Sequence, residues 1–320
     1  MQEGDSEVSV NDCRNKATVS FGKFTKRLLL HKNVCVTYKG DVSFYMANVQ
    51  NIRLKKFNPH NITANRVVLF IGKRGTGKSQ FVRDILYYHR KVPVGLVMSP
   101  TEESNSFYQD MIPDLFIYYD YKAEVIQNVI KRQRKCVKTK VANSNTFILL
   151  DDCMYDKKIT KDPSIRAIFM NGRHWNILFM MTMQYCMDLT PDLRSNIDYI
   201  YVLRENIISN REKIYKNFFG IFPTFAMFNE VMNRCTENFE CLVLDNTSRS
   251  NKIEDVVYWY KAPLRGKFRM GDKAFWQHHK QNYNSRYDDD DSDDDNIKSK
   301  QTAKSKKKDT KQKTKVTKLS

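Results

Sequence analysis

The sequence predicts an α/β fold in which a mostly parallel sheet is flanked by helices. Apolar, strand-like runs alternate with helical patterns between about residues 61 and 262, as expected for parallel strands joined by helical crossovers. Within this stretch a glycine-rich turn joins one strand-like run to a helical pattern, and a later apolar run ends in two carboxylates. Both features are typical of the edge at which such sheets bind ligands.

The predicted strands are short apolar runs, and the predicted helices carry apolar residues at helical spacing. The strands are Val67–Ile71, Val94–Met98, Leu115–Tyr119, Thr146–Leu150, Ile177–Met181 and Tyr199–Leu203. The helices are Ser79–His89, Ala123–Lys135, Ser164–Asn171, Asn210–Phe218 and Thr224–Arg234.

The composition divides the chain into four parts. Residues 1–60 are interpreted as a basic N-terminal extension, residues 61–262 as the α/β domain, and residues 263–284 as a basic and aromatic C-terminal extension. Residues 285–320 form an acidic and then lysine-rich tail with almost no apolar residues. Such a tail cannot bury enough surface to fold, so it is predicted to be disordered.

The formal net charge of +18 favours a polyanionic partner. Residues 288–320 hold ten Lys and eight Asp, a net charge of +2, which leaves +16 on residues 1–287. The part of the chain that is predicted to fold is therefore itself basic. Nucleic acid is a better candidate than a membrane, because no long amphipathic basic helix is evident.

The seven cysteines show no pattern that indicates a disulfide framework or a zinc site. Unpatterned thiols are typical of a reducing compartment. The acidic N-terminus lacks the apolar core of a signal peptide, and the most apolar window, Ile177–Met181, is far too short to span a bilayer. We therefore expect a soluble intracellular protein without membrane insertion.

A glycine-rich turn after the first predicted strand fits Gly-x-x-x-x-Gly-Lys-Ser, the phosphate-binding loop of nucleoside triphosphatases. The turn consists of Gly72, Lys73, Arg74, Gly75, Thr76, Gly77, Lys78 and Ser79. Its N–H groups and the start of the next helix attract phosphate, so we expect it to bind ATP or GTP. Lys78 would contact the β- and γ-phosphates, and the Ser79 hydroxyl would hold Mg²⁺. GTP is disfavoured, because the run nearest to a guanine-reading Asn-Lys-x-Asp, Asn251–Glu254, ends in Glu.

Two carboxylates and an amide follow later predicted strands. Asp151 and Asp152 come directly after the strand that ends at Leu150, and Gln184 comes just after the next one. The carboxyl ends of parallel strands share one edge, so these side chains are expected near the phosphate loop. We expect Asp151 to hold Mg²⁺ through water, Asp152 to act as the base or to orient the attacking water, and Gln184 to sense the γ-phosphate.

Arg173 precedes the strand that leads to Gln184 and would therefore lie at the opposite, subunit-facing rim. A guanidinium delivered from there to a neighbouring subunit would stabilise charge in the transition state of phosphoryl transfer. A surface salt bridge explains Arg173 nearly as well. Arg204 is a rival arginine finger, and Arg74 is a candidate that would act within its own subunit.

Taken together, these motifs resemble the genome-packaging ATPases of large nucleocytoplasmic DNA viruses, of the poxvirus and mimivirus type, within the FtsK/HerA class of P-loop motors. The resemblance covers about Asn61 to Trp259 and rests on the phosphate loop, Leu149–Asp152, Gly172–His174 and Thr182–Gln184. It implies a RecA-like ATPase that forms a homo-oligomeric ring and uses ATP and Mg²⁺ to drive double-stranded DNA into a capsid. It also implies components of a portal-like capsid vertex as partners, and the host cytoplasm, at the viral factory, or the virion as the location.

By motif, the resemblance makes Lys78 and Ser79 the phosphate and Mg²⁺ contacts, Asp151 the metal aspartate, Asp152 the catalytic carboxylate and Gln184 the polar sensor. Many FtsK/HerA motors have Glu where this chain has Asp152. The shorter side chain leaves open whether Asp152 acts as the direct base.

Two basic segments are candidates for contact with DNA phosphates, which a motor indifferent to sequence requires. The first comprises Lys131, Arg132, Arg134, Lys135, Lys138 and Lys140, and the second comprises Arg265, Lys267, Arg269 and Lys273. A solvated helix end and a packed C-terminal extension are the plainer interpretations. A HerA-type DNA helicase or translocase, and a P-loop nucleotide kinase with an arginine-rich lid, are the alternative functions.

Overall fold

The computed structural model describes residues 52–154, 156, 158–185 and 189–283, together with two N-terminal strands. The chain divides into one unit over residues 1–53 and a second over residues 54–320. In the first unit, β1 (Lys16–Phe21) and β2 (Phe24–Leu29) pair antiparallel. Most of the predicted N-terminal extension and the charged tail lie outside the described residues.

The second unit is built on a nine-stranded sheet with the order β3-β11-β10-β9-β4-β8-β7-β5-β6. Its strands are β3 (Lys55–Lys56), β4 (Val67–Ile71), β5 (Val94–Met98), β6 (Ile117–Tyr118), β7 (Thr146–Leu150), β8 (Ile177–Met183), β9 (Tyr199–Val202), β10 (Glu240–Asp245) and β11 (Val257–Lys261). The six strands from β9 to β6 are parallel to their neighbours, and β10 runs antiparallel to both β9 and β11. The α/β fold with a mostly parallel sheet is thus confirmed.

The crossovers between the parallel strands carry helices. The helices are α1 (Lys78–Tyr88), α2 (Glu102–Asn105), α3 (Ala123–Lys138), α4 (Pro163–Asn171), α5 (Pro191–Arg194), α6 (Ile208–Phe218), α7 (Phe225–Cys235), α8 (Ile253–Val256) and α9 (Lys273–Asn282). All five predicted helices are present, with ends shifted by at most three residues.

The sheet centre is apolar because helices cover both of its faces, so every position of a central strand is buried. All residues of β4, β7 and β8 are buried. Helix α1 contributes Phe81 and Ile85 to the same core. Each such side chain stabilises the fold by about 1.5–3 kcal/mol when it is fully buried. The loop between β4 and α1 is therefore held between two well-packed elements.

Two parts of the sheet differ from the sequence-based expectation. The predicted strand Leu115–Tyr119 is confirmed only over Ile117–Tyr118, which form β6 at the edge of the sheet, because Leu115 and Phe116 belong to a 3₁₀ turn, Asp114–Phe116. Strands β10 and β11 were not predicted; the alternation of strands and helices predicts the parallel strands and misses a terminal antiparallel pair.

Residues on both sides of the predicted 61–262 domain also reach the core. Phe57, Met270 and Phe275 are buried in it. Among the described residues, no helix is long and apolar enough to cross a membrane.

Candidate nucleotide-binding site

The glycine-rich turn joins the buried strand β4 to α1, whose first residue is Lys78. Gly75 and Gly77 have φ angles of +75° and +95°, a left-handed conformation that bulky side chains disfavour. The Thr76 hydroxyl donates a hydrogen bond to the Lys73 carbonyl, 2.7 Å away, and closes the turn. Since the first turn of a helix leaves its N–H groups unpaired, the loop presents donors and a positive dipole end to an anion.

The Lys78 ammonium lies within the glycine-rich turn, where it is predicted to contact phosphate. Its Nζ donates to the carbonyls of Gly72 at 2.9 Å and Lys73 at 3.2 Å, and it lies 3.9 Å from Oδ1 of Asp152. The side chain is only 7 % exposed. Burial lowers the pKa of Lys78 from its ordinary value, opposed by the negative charges of Asp152 and Asp151. The sequence-based placement of Lys78 next to the strand-end carboxylates therefore agrees with the structure.

Asp151 follows β7 and is held by hydroxyl groups on both sides of its carboxylate. Oδ1 accepts from the Thr182 hydroxyl at 2.7 Å, and Oδ2 accepts from the Tyr108 hydroxyl at 2.8 Å. Asp151 is 5 % exposed. Burial raises its pKa, and the two hydroxyl bonds oppose that rise by stabilising the ionised form. The carboxylate therefore has a fixed orientation.

Asp152 adopts a left-handed conformation with φ of +52°. Its N–H donates to the Thr182 hydroxyl at 2.9 Å, and its Oδ1 accepts from Nε2 of Gln184 at 3.4 Å. Asp tolerates this conformation better than most residues, yet it still costs on the order of 1 kcal/mol and such strain concentrates at functional sites. The structure thus brings Asp152, Gln184 and Lys78 together, as expected from their strand-end positions.

A pocket of about 540 Å³ opens beside these groups. It is lined by Arg74, Pro100, Thr101, Asp152, Met154, Gln184 and Tyr185. The lining therefore joins the glycine-rich turn to the ends of β5, β7 and β8.

Sequence comparison places the chain among proteins of large DNA viruses. It is 37 % identical over 249 residues to uncharacterized protein L437 of Acanthamoeba polyphaga mimivirus, covering 75 % of this chain and 87 % of that protein. It is 36 % identical over 255 residues to uncharacterized protein 075L of Invertebrate iridescent virus 6, covering 78 % of this chain and 98 % of the relative. The chain belongs to the family of protein L437. No protein-family model matches the chain.

Solved structures give weaker likenesses to the L437 family member described here. The genome packaging NTPase B204 from Sulfolobus turreted icosahedral virus 2 in complex with sulfate is 15 % identical, with a TM-score of 0.44 over 64 % of this chain and 100 % of that chain. The pCW3 conjugation coupling protein TcpA in complex with ATPγS is 10 % identical, with a TM-score of 0.46 over 79 % of this chain and 67 % of that chain.

Lys73, a second cation of the glycine-rich turn of this L437 family member, is engaged outside the pocket. Its Nζ lies 2.7 Å from Oε1 of Glu205, a nearly buried residue shortly after β9. Burial raises the pKa of Glu205, but the hydrogen bonds from Lys73, the Ile207 N–H and Asn210 outweigh it and lower the pKa. Lys73 therefore ties the turn to the neighbouring strand end, whereas Arg74 lines the pocket.

Arg173 lies at the amino end of β8 and pairs with the fully buried carboxylate of Asp198. The Arg173 Nη2 to Asp198 Oδ1 distance is 2.6 Å, and Arg66 Nη1 lies 3.2 Å from the same oxygen. Since β8 has seven residues at about 3.3 Å each, roughly 20 Å separates Arg173 from Gln184 at the other end. Arg173 is thus not part of the pocket of its own subunit, and a role in a neighbouring subunit stays a prediction. The rival Arg204 is exposed, and its Nε donates to Asn206 at 3.0 Å.

The donor set fits Mg²⁺ that arrives with a nucleotide better than a resident metal ion. Among the described residues, no group of three or more His, Cys, Asp and Glu side chains could hold a metal. Mg²⁺ at phosphate sites takes one or two protein ligands and completes its shell with phosphate oxygens and water. The Ser79 hydroxyl and the Asp151 carboxylate would be that minimal set, and two hydroxyl partners fix the orientation of the Asp151 carboxylate.

Two residues of this site were missed by the sequence-based prediction. Tyr108 lies 43 positions from Asp151 in a segment that carries no motif. Glu205 was not singled out either, although a carboxylate shortly after a central strand is a signal of the same kind as Asp151.

Proposed function

We propose that this chain is an ATP-hydrolysing motor that translocates double-stranded viral DNA into a capsid. The observation that carries the proposal is the convergence of Lys78, Asp152 and Gln184 beside a left-handed glycine turn at a helix start. Membership of a family of viral proteins supports the setting. The proposal includes a homo-oligomeric ring, a capsid vertex as docking partner and action in the host cytoplasm.

The chemical step follows from the placement of the side chains. The loop N–H groups and the Lys78 ammonium bind and neutralise the β- and γ-phosphates. Asp152 orients a water molecule for in-line attack on the γ-phosphate and accepts its proton. Gln184, which donates a hydrogen bond to Asp152, responds to the presence of that phosphate. Ser79 and Asp151 would hold Mg²⁺, which would supply positive charge to the phosphate oxygens. The products are ADP and inorganic phosphate.

The surface of α3 is the better of the two candidate DNA contacts. Lys131, Arg132, Arg134, Lys135 and Lys138 are all exposed, and so is Lys140 just beyond the helix. A row of solvated cations on a rigid helix can follow a phosphate backbone without reading its sequence.

Two of the four cations in the second candidate strip, Arg265 and Arg269, are engaged in contacts within the fold. Arg265 donates to the buried carboxylate of Asp84 at 2.7 Å and stacks on Tyr87, with its Cζ 4.1 Å from the ring centre. Arg269 stacks on Trp276 at 4.6 Å. Cations held in this way are less available to a polyanion.

Neutralising the α3 cations tests the DNA part of the proposal. With Lys131, Arg132, Arg134 and Lys135 changed to Gln, we expect basal ATPase activity to remain and its stimulation by long duplex DNA to be lost. The slope of log affinity against log salt should fall by up to about 0.9 for each contact removed. The measurement is ATPase rate and DNA binding over a salt series, read alongside particle mass.

The matched control for this variant neutralises four exposed cations elsewhere, Lys216, Lys252, Lys261 and Lys280. An equal loss of DNA binding in the control would show a general charge effect and would contradict the assignment of α3. If duplex DNA alters ATP turnover neither in the two variants nor in wild type, a P-loop kinase becomes the better interpretation. Strand separation instead of duplex movement would favour a HerA-type helicase.

Tyr108→Phe tests the part of the site that orients Asp151. The change removes the donor to Asp151 Oδ2 and keeps the ring. Loss of such an outer-shell partner typically weakens metal affinity by about 10- to 100-fold. We expect the Mg²⁺ concentration for half-maximal activity to rise by that factor, whereas nucleotide affinity measured in EDTA stays unchanged. Tyr201→Phe is the control, because the buried Tyr201 hydroxyl has no hydrogen-bond partner in the part of the chain that the structure describes; a similar Mg²⁺ shift there would count against the assignment.

A further inference from the structure

Phe239 is an exposed aromatic side chain in an unfavourable backbone conformation. Of the large apolar side chains that are exposed among the described residues, only Phe239 is aromatic, and 66 % of its surface is accessible. Its φ angle is +61°, and that of the preceding Asn238 is +51°. A left-handed conformation is common for Asn but unusual for a bulky residue. The fold therefore holds a phenyl ring in solvent in a conformation that neither burial nor local preference explains.

The ring lies against the phosphate loop. Phe239 directly precedes β10, which runs antiparallel to β9 with Leu242 opposite Val202. The start of β10 therefore lies at the edge where β9 ends, next to the turn after β4. A Cβ placed on Gly77 would lie 3.4 Å from Cδ1 of Phe239, so the ring lies beside the last glycine of the turn and would touch any side chain there.

The sheet order gives the direction in which a bound nucleotide extends. In the run β10-β9-β4-β8-β7, the carboxylate Asp152 and the amide Gln184 follow β7 and β8, on one side of the turn after β4. Phe239 lies on the other side, before β10. A triphosphate that spans the turn with its γ-phosphate at Asp152 would have its ribose and base on the side of Phe239.

We infer that Phe239 is the platform on which the base of the bound nucleotide stacks, an inference that rests on the proposed nucleotide site. A flat, exposed ring beside the turn offers the face that a purine requires. Stacking accepts every base with a π-face, so Phe239 strengthens binding without selecting adenine over guanine. The strain at Phe239 is retained because the left-handed conformation sets the ring on the loop.

The test compares a ligand that has a base with one that lacks it. Binding of ATP and of inorganic tripolyphosphate is measured by calorimetry on the full chain for wild type and Phe239→Ala. Base stacking on an aromatic side chain corresponds to about 5- to 150-fold in affinity. We expect ATP and GTP affinity to fall by at least about fivefold and tripolyphosphate affinity to stay unchanged. Phe239→Trp should retain ATP affinity and show fluorescence quenching by ATP, absent with tripolyphosphate and in wild type.

Two further variants keep the result independent of folding. Phe239→Gly removes the ring and relieves the left-handed strain, so we expect an equal or higher melting temperature together with the same loss of ATP affinity. Leu264→Ala, at an 88 % exposed apolar position after β11, is the control and should leave both ligands unaffected.

The outcomes separate the inference from the proposed function. Unchanged ATP affinity in Phe239→Ala, or an equal loss for ATP and tripolyphosphate, would overturn the stacking role. Wild-type protein that binds tripolyphosphate as tightly as ATP would overturn it as well, leaving the phosphate site intact. Wild-type protein that binds neither ligand would remove the phosphate site and the inference together.

Discussion

Replacing Lys78 with alanine is expected to abolish nucleotide turnover while the protein remains folded. The Lys78 ammonium is nearly buried, lies 3.9 Å from Asp152 and donates to two carbonyls of the turn. In phosphoryl transfer this charge stabilises the γ-phosphate in the transition state, and loss of one such group costs on the order of 10²–10³ in rate. The fold should tolerate the change, because Ala favours the first turn of α1 and the Lys73 carbonyl keeps its bond from Thr76.

The measurement is steady-state ATP hydrolysis together with thermal unfolding. Lys91→Ala is the matched control, an exposed lysine beyond the other end of α1, and its activity should equal that of wild type. Lys78→Arg keeps the charge but replaces a compact ammonium with a planar fork, so we expect it to be inactive too. Hydrolysis at the wild-type rate in Lys78→Ala would refute the assignment of the phosphate loop.

The centre of the site could be predicted because its signals are local in sequence. A β-branched strand, the glycine-rich turn from Gly72 to Ser79 and a helical pattern follow one another within about twenty residues, and each can be recognised in the sequence by itself. Asp151 and Asp152 needed one further step, the rule that parallel strands end at a common edge. That rule places Gln184 beside Asp152, where Nε2 lies 3.4 Å from Oδ1.

The contacts that orient the site could not be predicted, because they join segments far apart in the chain. Tyr108 reaches Asp151 only once the segment after β5 packs over the end of β7. Outside the site, a salt bridge was one interpretation of Arg173, but its partner Asp198 could not be predicted, because that carboxylate is brought next to Arg173 only by the fold. No feature of the sequence predicts that Phe239 is exposed, because an aromatic residue before a strand usually packs into the core.

Asp152→Asn is expected to stop hydrolysis and to spare nucleotide binding. The amide cannot accept a proton, and loss of a positioned base costs about 10²–10⁴ in rate. Asn is nearly isosteric with Asp and tolerates left-handed φ well, so the backbone at Asp152 (φ +52°) and its N–H bond to Thr182 should persist. ATP affinity should be equal or higher, since a negative charge next to the triphosphate is removed. Single-turnover hydrolysis and calorimetric binding measure the two effects separately.

Asp156→Asn is the control for this experiment, because Asp156 lies in the same loop and its carboxylate caps the Lys158 N–H. Asp152→Glu distinguishes the effect of the negative charge from the effect of side-chain length. If Asp152 acts as the direct base, the longer side chain keeps the charge and should retain more activity than Asn does. Hydrolysis by Asp152→Asn within a few-fold of wild type would mean that Asp152 only orients its neighbours, and the proton of the attacking water would then have to pass to another acceptor, such as phosphate itself.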